Sequence, residues 1–196
     1  MKRSTAFVIA FLIPASVSGG IPGDLIFANR FELARLPNVG DIVITEIMAD
    51  PAMVPDAVGE WFEIVNANPA NAVDIGDCVL SNGTVSSQIN GFLPIFGSDR
   101  VVFARSTNPA MNGGVPADLS FGFGLLQVNG QLSISCFGVL LDSTTWTSST
   151  AGRSRSLAPE ATDPVANDNP ANWCLSSSPF NGTDLGTPGT VNETCP

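Results

Sequence analysis

The stretch QLSISCF at 131–137 constrains the fold more than any other part of this 196-residue chain. Leu132, Ile134 and Cys136 alternate with Gln131, Ser133 and Ser135, the pattern of a strand wet on one face. Similar short segments recur. DIVITEIM (41–48), EWFEIVN (60–66), DCVLSN (77–82), RVVFAR (100–105) and VLLDSTTW (139–146) read as strands, and RSRSLA (153–158) as the last one. In EWFEIVN, Trp61, Glu63 and Val65 share one face and Phe62, Ile64 and Asn66 the other, which predicts a half-exposed Trp61. No heptad, long amphipathic helix or internal repeat is present, and 19 Gly and 15 Pro punctuate the chain. Many short strands between turn signals predict an all-β sandwich or barrel in one domain. The run STNPAMNGGVPADLSFGFG (106–124) reads as a long loop.

The first 18 residues have another character. Lys2 and Arg3 precede an apolar run from Ala6 to Ile13, and small residues follow at Ala15, Ser16 and Ser18. That is the anatomy of a secretory signal peptide, with cleavage expected after Ser18. The apolar run is shorter than the roughly 20 residues that span a bilayer. The expected organisation is a signal peptide at 1–18, a spacer at 19–40 and a domain at 41–196. No membrane insertion is expected after cleavage, and the expected location is outside the cell or in its envelope.

Loss of Lys2 and Arg3 takes the formal net charge from −10 to −12. Every remaining base is arginine, and acids outnumber them. Such a chain repels nucleic acid and anionic lipid, whose recognition needs clustered Lys and Arg, so no nucleic-acid partner is expected. The chain has no His, which excludes Ser-His and Cys-His nucleophile pairs and imidazole metal sites. The mature chain has no Lys, which excludes a Schiff base. No cofactor and no enzymatic activity are expected. Carboxylates, arginines and hydroxyls remain for any chemistry.

Four cysteines, Cys78, Cys136, Cys174 and Cys195, follow the export signal. An even count in an oxidising compartment reads as disulfides, and no pair is close enough for the usual zinc spacing. Three pairings are possible. Cys78 shares a strand face with Leu80 and Cys136 with Ile134, which favours a 78–136 bond across the core and leaves 174–195.

Four phrases together resemble the lamin tail domain family. DIVITEIMADP resembles its opening strand and polar-Pro turn, and GEWFEIVN its second strand. AVDIGDCVLSNG resembles the element that follows. GTPGTVN resembles its closing phrase, with GRSRSL before it. The resemblance frames about 41–192 and is weak over 84–130. It implies an immunoglobulin-like β-sandwich. It further implies an exported bacterial module, non-catalytic, serving interaction or attachment through a protein or cell-surface partner. An accessory domain beside an exported hydrolase and a binding module for glycan or calcium are the alternatives. Because Cys195 follows the closing phrase and Cys174 follows Trp173, a 174–195 bond would clasp a chain end poor in apolar residues. Its loss is expected to expose the chain after about residue 175.

Glu46 and Glu63 are the carboxylates with most to weigh. Adjacent strands set them opposite each other, as an acid–base pair or as calcium ligands with Asp50 or Asp56. The plainer expectation is two exposed strand carboxylates paired with arginines such as Arg153 or Arg155. DPVANDN (163–169) lacks the spacing of a calcium-binding EF-hand loop and reads as an Asx-rich turn. Trp61, Trp146 and Trp173 read as packing residues, with a sugar platform as the alternative. GDLIFANRFELAR (23–35) reads as a partly ordered spacer, or as a docking strand for an export partner.

Overall fold

The computed structural model describes residues 34–196. The expected signal peptide and most of the 23–35 segment lie outside the described residues. The elements in chain order are β1 (Ile42–Met48), α1 (Asp56–Gly59), β2 (Trp61–Asn66), β3 (Val73–Asp74), β4 (Val79–Ser81) and β5 (Ser86–Gln88). There follow β6 (Pro94–Ile95), β7 (Arg100–Ala104), β8 (Leu119–Ser120), β9 (Val128–Cys136), β10 (Val139–Ser148), β11 (Arg155–Leu157) and β12 (Trp173–Leu175). Three short 3₁₀ turns, Pro159–Ala161, Ala166–Asp168 and Pro170–Asn172, connect β11 to β12.

The strands form a six-stranded sheet in the order β12-β11-β1-β2-β7-β8, a four-stranded sheet β10-β9-β4-β5 and the small pair β3-β6. The two larger sheets pack against each other. One contributes Ile44, Phe62, Ile64 and Phe103 to the core, the other Leu80, Leu132, Ile134 and Trp146. Phe62 stacks on Phe103 at 5.0 Å, and Phe121 meets Phe62 edge-on at 5.1 Å, both favoured aromatic geometries.

The alternation in 131–137 is seen directly, with Leu132, Ile134 and Cys136 buried and Gln131 exposed. Three expectations change. RSRSLA is not the last strand, because Trp173–Leu175 pairs beyond it, Ser156 opposite Cys174. That three-residue strand is too short to show a period. The run 106–124 is not simply a loop. Leu119 and Ser120 pair in parallel with Phe103 and Ala104, and Phe121 and Phe123 are buried. The Gly-Pro richness reports its turns, while its aromatics fill the core.

The third change concerns the first disulfide. Cys78 and Cys136 are bonded, with Cα atoms 4.2 Å apart. Their strands are neighbours in the four-stranded sheet, where Val79 faces Ser135 and Leu80 faces Ile134. The bond therefore joins adjacent strands on the buried face of one sheet and does not cross between sheets. Period two puts both thiols on the inner face but does not say whether their strands lie side by side or face to face.

The outer face of the six-stranded sheet is also covered. Met48, Trp61, Val102 and Ala104 form a second apolar cluster with Val115, against which Ala117 and Phe180 pack. Phe180 meets Trp61 edge-on at 6.0 Å. The chain from Ser176 onward crosses this face as a strap. Gly186 lies close against this face, since a Cβ there would stand 3.0 Å from the Trp61 ring. Trp61 is consequently fully buried, contrary to the half-exposure expected from its sharing a face with Glu63.

Polar bonds tie the strap down along its length. Asp184 accepts from the Ala52 and Met53 N–H groups at 2.8 and 3.2 Å. The Asn192 amide donates to the Thr45 and Leu157 carbonyls, both at 2.8 Å. Glu193 accepts from the Ser176, Ser177 and Ser178 hydroxyls. Cys174 is bonded to Cys195 at the far end. This revises where fraying begins. Removing the bond by C174S/C195S relieves the unfolded chain of a closed loop worth roughly 3 kcal/mol. Cleavage is expected beyond Asn192 only, with 176–192 still protected. Limited proteolysis followed by mass spectrometry checks this, and early cuts inside 176–190 would contradict it.

Candidate functional site

Two places collect the side chains that carry chemistry. The first is the covered outer face. Glu46 and Glu63 are register partners on β1 and β2, so the sequence correctly set them opposite each other. They are not exposed strand carboxylates, however; both are completely buried. Neither pairs with Arg153 or Arg155. Glu63 binds Arg100 at 2.7 Å and accepts from the Thr45 hydroxyl at 2.7 Å and the Gly189 N–H at 2.9 Å. Glu46 accepts from the Ser154 and Ser156 hydroxyls at 2.5 and 2.9 Å. It also accepts from the Thr187 N–H and hydroxyl at 2.9 and 2.8 Å. The two carboxylates thus anchor the strap through the GTPGT residues Thr187 and Gly189. A β-bulge between Ile44 and Glu46 adds Thr45 to the strand here, as bulges do where a side chain must be re-aimed.

Burial sets the electrostatics. It pushes Glu63 up to about 7 against the attraction of Arg100, and Glu46 across the strand adds to the rise. Glu46 is raised by burial, opposed by its hydroxyl and N–H donors. Burial likewise lifts Glu60 and Asp142 to about 7, in spite of the N–H bonds each accepts. An acid whose pKa is higher folded than unfolded stabilises fully below its unfolded pKa. That contribution is lost as pH rises through the folded value. Glu193 works the other way: burial raises it, but its serine hydrogen bonds prevail and hold it at about 2, so its contribution is fully present above its unfolded pKa and is lost only as pH falls into acid. The thermal midpoint is therefore expected to be higher at pH 5 than at pH 8, by about 5–10 °C for a chain of this size. Melting curves across that range test it, and a midpoint that rises toward pH 8 would contradict it.

The second place is a groove of about 350 Å³ where β9 and β10 splay from β11 and β12. Asn129, Gln131, Thr145 and Thr147 line one side, and Arg155, Asn167, Asp168 and Trp173 the other, with Trp146 between them. Gly130 seats the Trp146 indole, because a Cβ there would fall 2.1 Å from the ring. The Trp146 Nε1–H donates to the Leu126 carbonyl at 2.8 Å and the Trp173 Nε1–H to the Asn167 carbonyl at 2.6 Å. Both indoles are more than nine-tenths buried, so they form no open platform. The Arg155 guanidinium lies over the Trp173 ring, 5.2 Å from its centroid.

Behind the groove, Asp142 joins the two sheets. It accepts from the Ile44 N–H at 2.6 Å and from the Asn167 amide at 2.7 Å. Sequence reasoning missed Asp142 and Asn167. The only available signal was an acid in a strand otherwise read by alternation, where a β-bulge between Leu140 and Asp142 breaks the period.

Other sequence candidates have structural employment. Arg153 donates to the Ser176 and Leu175 carbonyls. Asp50 and Asp56 meet at the Gln127 amide, at 3.2 and 2.9 Å, away from the Glu46 and Glu63 bonds. Asp163 accepts from the Val165 and Ala166 N–H groups, the Asx turn read from DPVANDN. Among the described residues no group of three or more His, Cys, Asp or Glu is placed to hold a metal ion. No helix among them is long and apolar enough to cross a membrane.

Fold and sites together define a disulfide-stabilised β-domain of packed sheets with a polar groove where β9 and β10 meet β11 and β12. No protein family, curated protein or solved structure matches the chain.

Proposed function

We propose that this chain is an exported, non-catalytic β-sandwich module of the lamin-tail type, serving interaction or attachment outside the cell or at its envelope. The observation that carries this reading is the fate of Glu46 and Glu63. The carboxylates best suited to acid–base work are sealed under the C-terminal strap, with their oxygens engaged by Thr45, Arg100, Ser154, Ser156, Thr187 and Gly189. A substrate would have to displace the strap to reach them. The two disulfides suit an oxidising compartment, and the leader-like first 18 residues suit export.

Expression of the full chain with a C-terminal tag in a bacterium, followed by fractionation and intact-mass analysis, tests the export part. The expected product begins at Gly19 and lies in the envelope or medium. Retention of Met1 in the cytosolic fraction would overturn it. The groove favours a second reading within the same class, a module that binds a defined small ligand.

A further inference from the structure

We infer that the groove between β9–β10 and β11–β12 binds the terminal uronic-acid residue of an otherwise neutral glycan, with Arg155 taking the carboxylate. This deepens the proposed function by naming a ligand class, and rests on that reading for the ligand's extracellular location.

The argument starts from Arg155. The other arginines among the described residues have partners. Arg35 binds Asp41 and Arg100 binds Glu63; Arg105 has an acid 3.9 Å away in Glu60, although its Nε and Nη1 make no hydrogen bond; Arg153 donates to carbonyls. Arg155 has neither an acid within 4 Å nor a hydrogen bond. Its Nε and Nη2 are buried without an acceptor, which leaves Nη1 as the remaining donor of a side chain that lines the groove. Burial lowers its pKa. A partly buried guanidinium with no acceptor is costly in a chain rich in acids. A ligand carboxylate on Nη1 would give the guanidinium the charged acceptor it lacks, through a single charge-assisted hydrogen bond.

An independent observation marks the same groove. Asn167 is 1% exposed. Its amide nitrogen is engaged by Asp142, while its Oδ1 is buried with no partner. Asn167 lines the groove, and an unpaired buried acceptor on a lining side chain calls for a donor, which a sugar hydroxyl supplies once the amide turns toward it.

The rest of the lining narrows the class. Asn129, Gln131, Thr145 and Thr147 are uncharged side chains that both donate and accept, as sugar hydroxyls do. Asp168 accepts from a hydroxyl but repels a second negative charge, which disfavours phosphate and sulfate. The overall acidity likewise disfavours a polyanionic chain. One carboxylate on a hydroxyl-rich neutral body satisfies all of these groups. The cavity volume sits at the small end of the roughly 300–1,000 Å³ typical of ligand pockets, room for a single sugar residue with its neighbour outside.

The test uses purified mature protein and isothermal titration with a glucuronyl-glucose disaccharide, against cellobiose and inorganic phosphate. Saturable binding of the disaccharide is expected, with cellobiose and phosphate at least about tenfold weaker, the scale of one charged hydrogen-bonded contact. Equal binding of all three, or of none, overturns the inference. Two variants locate the site. Arg155→Met should abolish the preference for the uronate while leaving the thermal midpoint unchanged or raised, since it removes an unpaired cation. A lowered midpoint with binding retained would make Arg155 a structural residue and overturn the inference. Thr145→Trp, at an exposed position, should block binding without unfolding. Failure of titration beside successful export sinks the ligand and spares the proposed module; failure of export does the reverse.

Discussion

Glu63→Ala is expected to destabilise the protein by about 3 kcal/mol or more, the effect of leaving one partner of a buried ion pair without the other. Arg100, whose side chain is only 16% exposed, would lose its acid. Thr45 and Gly189 would lose their acceptor, and the strap one of its two carboxylate anchors on the sheet. For a chain of this length the thermal midpoint should fall by roughly 6–12 °C. Urea unfolding at pH 8 measures the loss directly. The double variant E63A/R100M sharpens the expectation. With both charges gone, much of the loss should return, because a buried ion pair is often no better than an apolar pair of similar size. If the double variant is as unstable as the single one, the ion pair is not the cause. The cost would then belong to the strap contacts at Thr45 and Gly189.

Removing the Cys78–Cys136 bond as C78A/C136A is the other large effect. The two residues are 58 apart in sequence, and a loop of that size is worth about 4 kcal/mol of unfolded-state freedom on the chain-entropy model. A midpoint lowered by roughly 8–16 °C follows. The structure adds a distinction. Because the bond joins adjacent strands of one sheet, its loss should leave the sheet-to-sheet packing of Phe62, Phe103 and Leu132 intact. Near-ultraviolet circular dichroism of the folded variant should therefore match the parent at low temperature. A variant that loses this signal while keeping its strand content would show that the bond holds the core together and not only the chain.

The N-x-S/T sites illustrate how position changes a motif. Asn82, Asn181 and Asn192 each begin such a triplet. In the fold their amides donate to the carbonyls of Gly124, of Gly113 and of Thr45 and Leu157 respectively. As a sequence pattern they fit the glycosylation triplet, which matters only in a eukaryotic host; in the structure they tie together segments distant in the chain.

Local pattern was a good guide wherever a property depended on neighbours in the chain. Strands β1, β2, β7, β9 and β10 follow from alternation and apolar runs, since side-chain direction in an extended chain repeats every two residues. The facing of Glu46 and Glu63 came from reading two successive strands as neighbours, and their register is as expected. The Asx turn at Asp163 came from the short reach of an aspartate side chain. Alternation says which residues share a face, but not what covers it. Glu46, Trp61 and Glu63 are buried because Phe180, Gly186, Thr187 and Gly189, more than a hundred positions later, lie over them. β12 and the bonds of Asp142 likewise depend on partners remote in sequence. The groove exists only where four strands from two sheets diverge, and Arg155 is distinctive there for the partner it lacks. Periodicity is a property of the bonded chain, whereas burial, pairing and unmet hydrogen bonds are set by segments that only folding brings together.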